Sequence, residues 1–277
     1  MNRRTFVGSL GAVGVGLASR RSLLSLTPPA TLDAIGVQLY TVRTAMRQDF
    51  DGTLARVAAI GYTKVEFAGY FNRTPEQVKA ALAAHRLVAP STHMQPDVLE
   101  KNWEETIAAA HTMGHQYITM AWIDESRRKT IDDWHRIADL FNRSAETAKK
   151  AGMGFAYHNH NYEFVPLDGQ LPYDILTANT DPQTVNLEID LYWIASKGID
   201  PLTYIKRYPG RVRMLHAKDM DAAGKMVDVG SGTFDFKRVF AARREAGLEH
   251  VFVEHDEPAD AFQSITNSYN YLKGLEF

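Results

Sequence analysis

His158 and His160 stand two residues apart, and so do Glu188 and Asp190. In an extended strand that spacing points both members of a pair to one face. His216 and Lys218 repeat the pattern further on, and Glu254 and His255 follow near the end of the chain. Imidazoles and carboxylates converging on one point, without thiolates, form a donor set for Mn2+, Zn2+, Co2+ or Mg2+. His158, Asp190, His216 and Glu254 are therefore the candidate metal ligands. Taken singly, a buried histidine is usually hydrogen-bonded filler. Four such residues at corresponding places in four segments are a site. The chemistry it supports is proton abstraction beside a carbonyl, where a metal stabilises the enediolate that forms. Reprotonation on another face or carbon gives epimerisation or isomerisation, and loss of a β-leaving group gives elimination.

The elements that would hold these side chains are short β-rich runs at 34–40, 63–68, 87–93, 117–121, 154–160, 184–190, 212–217 and 251–255. Amphipathic helical patterns lie between them, among them 53–60, 75–85, 103–113, 131–150 and 236–246. Gly61, Gly114, Gly152 and Gly247 each end a helical run, where a left-handed cap is expected before the next strand. Eight strand–helix alternations predict a single (β/α)8 TIM barrel with parallel strands. The first strand runs into Gln38-Leu39-Tyr40-Thr41 with no Gly-rich loop, which argues against a doubly wound dinucleotide fold. In a parallel barrel the working side chains sit at the C-terminal strand ends. That adds Gln38, Glu66 and His93 as candidate substrate-binding residues.

Composition sets the outer limits. The chain has 277 residues, 45% apolar and 23% charged, enough for one large core. A net charge of −2 with no basic run inside the domain argues against a nucleic-acid partner, and none is expected. The absence of cysteine rules out disulfides, thiolate metal sites and cysteine nucleophiles. Arg3-Arg4-Thr5-Phe6, followed by a Gly-rich apolar run, resembles a twin-arginine export signal. Residues 1–31 are read as that export segment and linker, 32–277 as the barrel, and the expected location is the periplasm. The apolar run is too short to span a bilayer, so no stable membrane insertion is expected. A homo-oligomer is compatible with the sequence.

The stretch from Ile35 onward resembles the sugar phosphate isomerase/epimerase family, the xylose-isomerase-like TIM barrels. The carrying segments are Gly36-Val37-Gln38-Leu39-Tyr40, Gly61-Tyr62-Thr63-Lys64-Val65-Glu66, Asn186-Leu187-Glu188-Ile189-Asp190, His216-Ala217-Lys218-Asp219, Gly230-Ser231-Gly232-Thr233-Phe234-Asp235-Phe236 and Val253-Glu254. The resemblance implies a divalent metal held by residues of the last four strands, mapping onto Asp190, His216 and Glu254. Where members usually carry a glutamate in the fifth strand, this chain has His158. Where a histidine often follows the sixth-strand aspartate, it has Trp193, whose flat indole is a candidate surface for a sugar ring. Glu188, His160 and Lys218 are the candidate acid–base groups, with Glu254 implied as both ligand and base. The expected activity is that of a metal-dependent isomerase, epimerase or eliminating lyase on a non-phosphorylated sugar, keto-sugar or 3-keto-glycoside. A non-catalytic sugar-binding barrel is the alternative from another class. A DNA-repair endonuclease on the same barrel is disfavoured by the charge and the export pattern.

Overall fold

A computed structural model describes residues 30–277. The twin-arginine pattern and most of the expected export segment lie outside the described residues. Eight parallel strands close into one barrel in sequence order: β1 (Gly36–Gln38), β2 (Lys64–Ala68), β3 (Val88–Met94), β4 (Tyr117–Met120), β5 (Gly154–His158), β6 (Val185–Asp190), β7 (Val212–Ala217) and β8 (His250–Val253). The eight runs read from the sequence all become these strands, with ends shifted by a few residues. A short antiparallel hairpin, Asp219–Met220 with Met226–Val227, follows β7.

Each strand is buried on both faces. Outward residues such as Val37, Val65, Ile118, Phe155, Leu187, Ile189 and Leu215 pack under the helices as the main core. Inward residues form a separate apolar layer of Tyr117, Ala156, Met214 and Phe252 low in the barrel. Room for the two large rings comes from glycine. A Cβ on Gly36 would lie 2.5 Å from the Phe252 ring, and one on Gly154 would lie 2.5 Å from the Tyr117 ring. Above this layer the inward side chains turn polar.

The helices show why they form where they do. Ile131–Lys150 starts on a reciprocal cap between Thr130 and Asp133, and buries Trp134, Ile137, Ala138, Phe141, Ala145 and Ala148 at three- and four-residue spacing. Gly114 and Gly247 close their helices in the left-handed conformation. Among the described residues no helix is long and apolar enough to cross a membrane.

Candidate active site

Strand register gathers the chemistry. Gln38 lies beside Glu66, Ala68 beside His93, His158 beside Glu188, and Asp190 beside His216. Between β6 and β7 the pairing steps from Leu187–Val212 to Glu188–Met214, so one residue of β7 is left over. That bulge brings Met214 and His216 level with Glu188 and Asp190. The two-residue spacing of Glu188 and Asp190 does put both inside the barrel, and both are wholly buried.

The polar centre has two levels that share His216. In the lower one, His93 Nε2 lies 2.6 Å from Glu188 Oε2, His158 Nδ1 lies 3.3 Å from the same oxygen, and His216 Nε2 lies 3.5 Å from Glu188 Oε1. The three imidazoles have ring centres 4.5 to 5.1 Å apart. Glu66 Oε2 faces the same nitrogens, His216 Nε2 at 2.7 Å and His93 Nε2 at 3.3 Å, and accepts from Gln38 Nε2 at 2.9 Å. In the upper level, Lys218 Nζ lies 3.0 Å from Asp190 Oδ2, 2.8 Å from Glu254 Oε2 and 2.9 Å from Asp256 Oδ1. Glu254 Oε2 also faces His216 Nδ1 at 2.7 Å.

Local backbone structure fixes these groups. Asn159 Oδ1 accepts from the Asp190 amide at 3.1 Å, tying the end of β5 to the end of β6. Asp190 Oδ1 accepts from the Trp193 amide at 3.2 Å and caps the helix Leu191–Ala195, which orients the indole. Beyond Lys218, the Asp219 carboxylate accepts from the amides of Gly230, Gly232 and Phe234. A side chain on Gly232 would run into that carboxylate, so the Gly230-Ser231-Gly232 segment serves to wrap it. The wrapped aspartate anchors the exit of β7 and with it Lys218.

Charge is unevenly distributed. Glu66, Glu188, Asp190 and Glu254 are enclosed carboxylates, and Lys218 is the one enclosed ammonium among them. Burial alone would lower the Lys218 pKa, but Asp190, Glu254 and Asp256 outweigh it and hold the ammonium charged. Burial likewise opposes charge on His216 and His93, yet neighbouring carboxylates raise both. For His158, burial first and the charge on His216 second push the pKa down to about 3, leaving a neutral ring. Burial also holds His160 well below its ordinary value. Burial raises Asp190 to about 6, whereas Glu254 stays well below the usual carboxylate range because Lys218 and His216 overcome its burial.

The residues fit a divalent cation. His93, His158, Glu188 and His216 offer donor atoms all within 4.8 Å of one another, and so do Asp190, His216 and Glu254. His158 Nδ1 and Glu188 Oε1 are buried without a hydrogen-bond partner among the described residues. Buried polar atoms are rarely left so, unless an ion or water completes them.

Above this centre opens a cavity of about 730 Å³. Glu254, Lys218, His158, His160 and His93 reach its floor, and Trp193, Trp122, Tyr40 and Met94 contribute its walls. Of the sequence candidates, Gln38, Glu66, Glu188, Asp190 and His216 lie beneath the floor and do not line the cavity. Two contributors were not singled out from the sequence. Asp256 shares the strand parity of Glu254 and completes the cage around Lys218. Trp122, 41% exposed, sits just past β4 with its ring edge-on to His160 and Tyr162. Strand parity carries the first signal; nothing in the sequence marks the second.

A sequence profile described as xylose isomerase-like TIM barrel matches residues 54–276. An inosose dehydratase of Lacticaseibacillus casei is 26% identical over 265 residues, covering 80% of this chain and 88% of its own length. The crystal structure of a sugar phosphate isomerase/epimerase from Parabacteroides distasonis superposes with a TM-score of 0.77 at 26% identity, over 88% of this chain and 95% of that one. The apo structure of a 3-keto-D-glucoside 4-epimerase from E. coli shares the fold, with a TM-score of 0.68 at 16% identity, over 87% and 99% of the two chains.

Proposed function

Because this chain belongs to the xylose isomerase-like TIM barrels, we propose that it removes a proton beside the carbonyl of a non-phosphorylated keto-sugar or 3-keto-glycoside. Relatives named as an inosose dehydratase and a sugar phosphate isomerase/epimerase support a sugar-modifying lyase or epimerase. The observation that carries the finer reading is the make-up of the cavity floor. An ionised carboxylate, Glu254, stands beside an enclosed ammonium, Lys218, and a neutral imidazole, His160. Lys218 is the one lysine or arginine among the described residues lining the cavity, and three carboxylates already saturate it. Asp97 and Asp256 add further negative charge to the lining. A phosphate dianion would find repulsion there, which supports an uncharged sugar.

Glu254 takes the α-proton, and the electrons of the C–H bond move onto the carbonyl oxygen. The Lys218 ammonium, fixed in place before reaction by Asp190, Glu254 and Asp256, lowers the cost of charge on the oxygen by its positive field. His160 is the group placed to relay a proton to the product. Return of the proton to the other face or to the neighbouring carbon gives epimer or isomer. Departure of a β-oxygen with its bonding electrons gives the eliminated product. A divalent cation held by the donors around His216 would supply Lewis acidity, polarising the carbonyl and lowering the cost of its negative charge. Trp193, with Lys218 over its ring at 5.2 Å, offers a face for the sugar.

The test is NMR of a 3-keto-glucoside incubated in deuterium oxide with the protein and Mn2+, Co2+, Zn2+ or Mg2+ in turn. Loss of the α-proton signal is the expected result. Product without deuterium uptake replaces this mechanism with a hydride shift, and saturable binding without turnover makes the chain a sugar-binding protein.

A further inference from the structure

The family resemblance puts a metal among Asp190, His216 and Glu254, but an ammonium already stands there. Lys218 Nζ is within 3.0 Å of both Asp190 Oδ2 and Glu254 Oε2, and it is 2% exposed. Glu254 Oε2 has a second partner in His216 Nδ1. A divalent ion on those oxygens would have to sit against a positive charge that three carboxylates hold in place. Among the described residues the lower level has no lysine or arginine paired with its carboxylates. It has three imidazoles, a carboxylate, and two buried donor atoms without hydrogen-bond partners, His158 Nδ1 and Glu188 Oε1; Asp190 Oδ2 in the upper level also lacks a hydrogen bond, but the Lys218 ammonium lies 3.0 Å from it.

We propose that the cation seats one level deeper than the resemblance implies, on His93, His158, Glu188 and His216, while Lys218 is the permanent cation of the upper level. This inference concerns where the metal of the proposed reaction sits, so it rests on that reading. The separations around Glu188 are 2.6, 3.3 and 3.5 Å, and His93 and His158 reach the cavity, the side on which a position would stay open to substrate. The surroundings suit the assignment. With Nε2 of His216 turned to the metal, its Nδ1–H donates to Glu254, the carboxylate–histidine–metal arrangement that orients a ligating ring. Glu66 Oε2, held by Gln38, faces the same two nitrogens, His216 Nε2 at 2.7 Å and His93 Nε2 at 3.3 Å, and adds a second carboxylate to the donor side. Three imidazoles with carboxylate donors favour Zn2+, Co2+ or Mn2+ over Mg2+. Glu254, freed from ligation, keeps its lone pairs for the substrate proton.

The assignment is tested on the purified full-length protein without substrate, by metal analysis and by X-ray absorption of the Zn2+ or Co2+ form. One equivalent of metal with three imidazoles in its shell is expected. His93→Ala and Glu188→Gln should each reduce the bound metal to below about a tenth of an equivalent. Asp190→Asn and Glu254→Gln should retain about one equivalent, weakened at most 10- to 100-fold as for groups that only orient ligands. The reverse pattern, or a shell with fewer than three imidazoles, overturns the assignment and leaves the proton-abstraction reading intact. Where a variant fails to fold by circular dichroism, the imidazole count of the unaltered protein decides. No metal in any form also overturns the assignment, and deuterium exchange by the untreated protein then judges the proposed function separately.

Discussion

A lysine among carboxylates is the feature that organises the site at the scale of single residues. Lys218 neutralises part of the charge on Asp190, Glu254 and Asp256, and so leaves Glu254 ionised and facing the cavity. Glu254→Gln keeps the shape and an acceptor for His216 but removes the base. Exchange of the α-proton with deuterium should fall on the order of 100- to 10,000-fold, the worth of one general base, with metal content unchanged. Full exchange activity in that variant would transfer the role to His160. The sequence made much of this visible. Two-residue spacings identified His158 with His160 and Glu188 with Asp190, because strand parity is a local property. It did not show that Lys218 reaches across to Asp190, since that contact depends on two strands meeting. Nor did it show that Gln38 and Glu66 lie beneath the floor, because depth along the barrel axis is set by strand stagger.

At the scale of elements, the barrel is legible because its strands are apolar on both faces and its helices end on glycine. Gly61, Gly114, Gly152 and Gly247 all have the positive φ that their positions suggested. The 236–246 run reads as one helix, yet it divides at Ala242 into Phe236–Ala241 and Arg243–Ala246. The sequence carries no breaker there. The hairpin after β7 was also hidden, since the strand run read from the sequence stops at Ala217 and the short Asp219–Met220 and Met226–Val227 pair carries no alternating pattern of its own. The inner layer is where packing leaves least freedom. Gly36→Ala would drive a methyl group into the Phe252 ring, within 3.0 Å of three heavy atoms. Phe252 lies beside His216 in register, so the strain falls directly under the polar centre. We expect a loss of about 1–3 kcal/mol in urea unfolding, the usual range for overpacking a filled core. Substitution at Gly169, whose Cβ position is open, tests backbone strain without a clash and serves as the comparison. Equal losses at both positions would mean that the inner layer gives way easily.

For the molecule as a whole, closure of the barrel buries imidazoles whose protonation state then becomes part of its stability. His115, at the start of β4, is 5% exposed. Its Nδ1 lies 2.6 Å from the Ala89 carbonyl oxygen and so carries the proton, while Nε2 lies 3.1 Å from the Tyr70 hydroxyl. Burial, only partly offset by the Ala89 bond, pushes the pKa down from 6.5 to about 4. His250, at the barrel floor between Lys64 and Gln116, is also pushed down to about 4, by burial and then by the Lys64 charge. A lowered pKa in the folded state fixes the sign. Above pH 6.5 the ring is neutral folded or unfolded and contributes no pH dependence. Below it the unfolded chain takes up a proton that the folded chain refuses, so stability falls as pH falls, until the folded ring also titrates near pH 4. At about 1.4 kcal/mol per pH unit, the His115 contribution lost across that window is on the order of 3 kcal/mol. Other groups titrate in the same range, so the informative quantity is the difference between the unaltered protein and His115→Asn. Urea unfolding at pH 7.5 should find the variant less stable, and the gap should narrow by about 3 kcal/mol on going to pH 4. A gap that stays constant with pH would mean that the ring of His115 is open to protonation in the closed barrel.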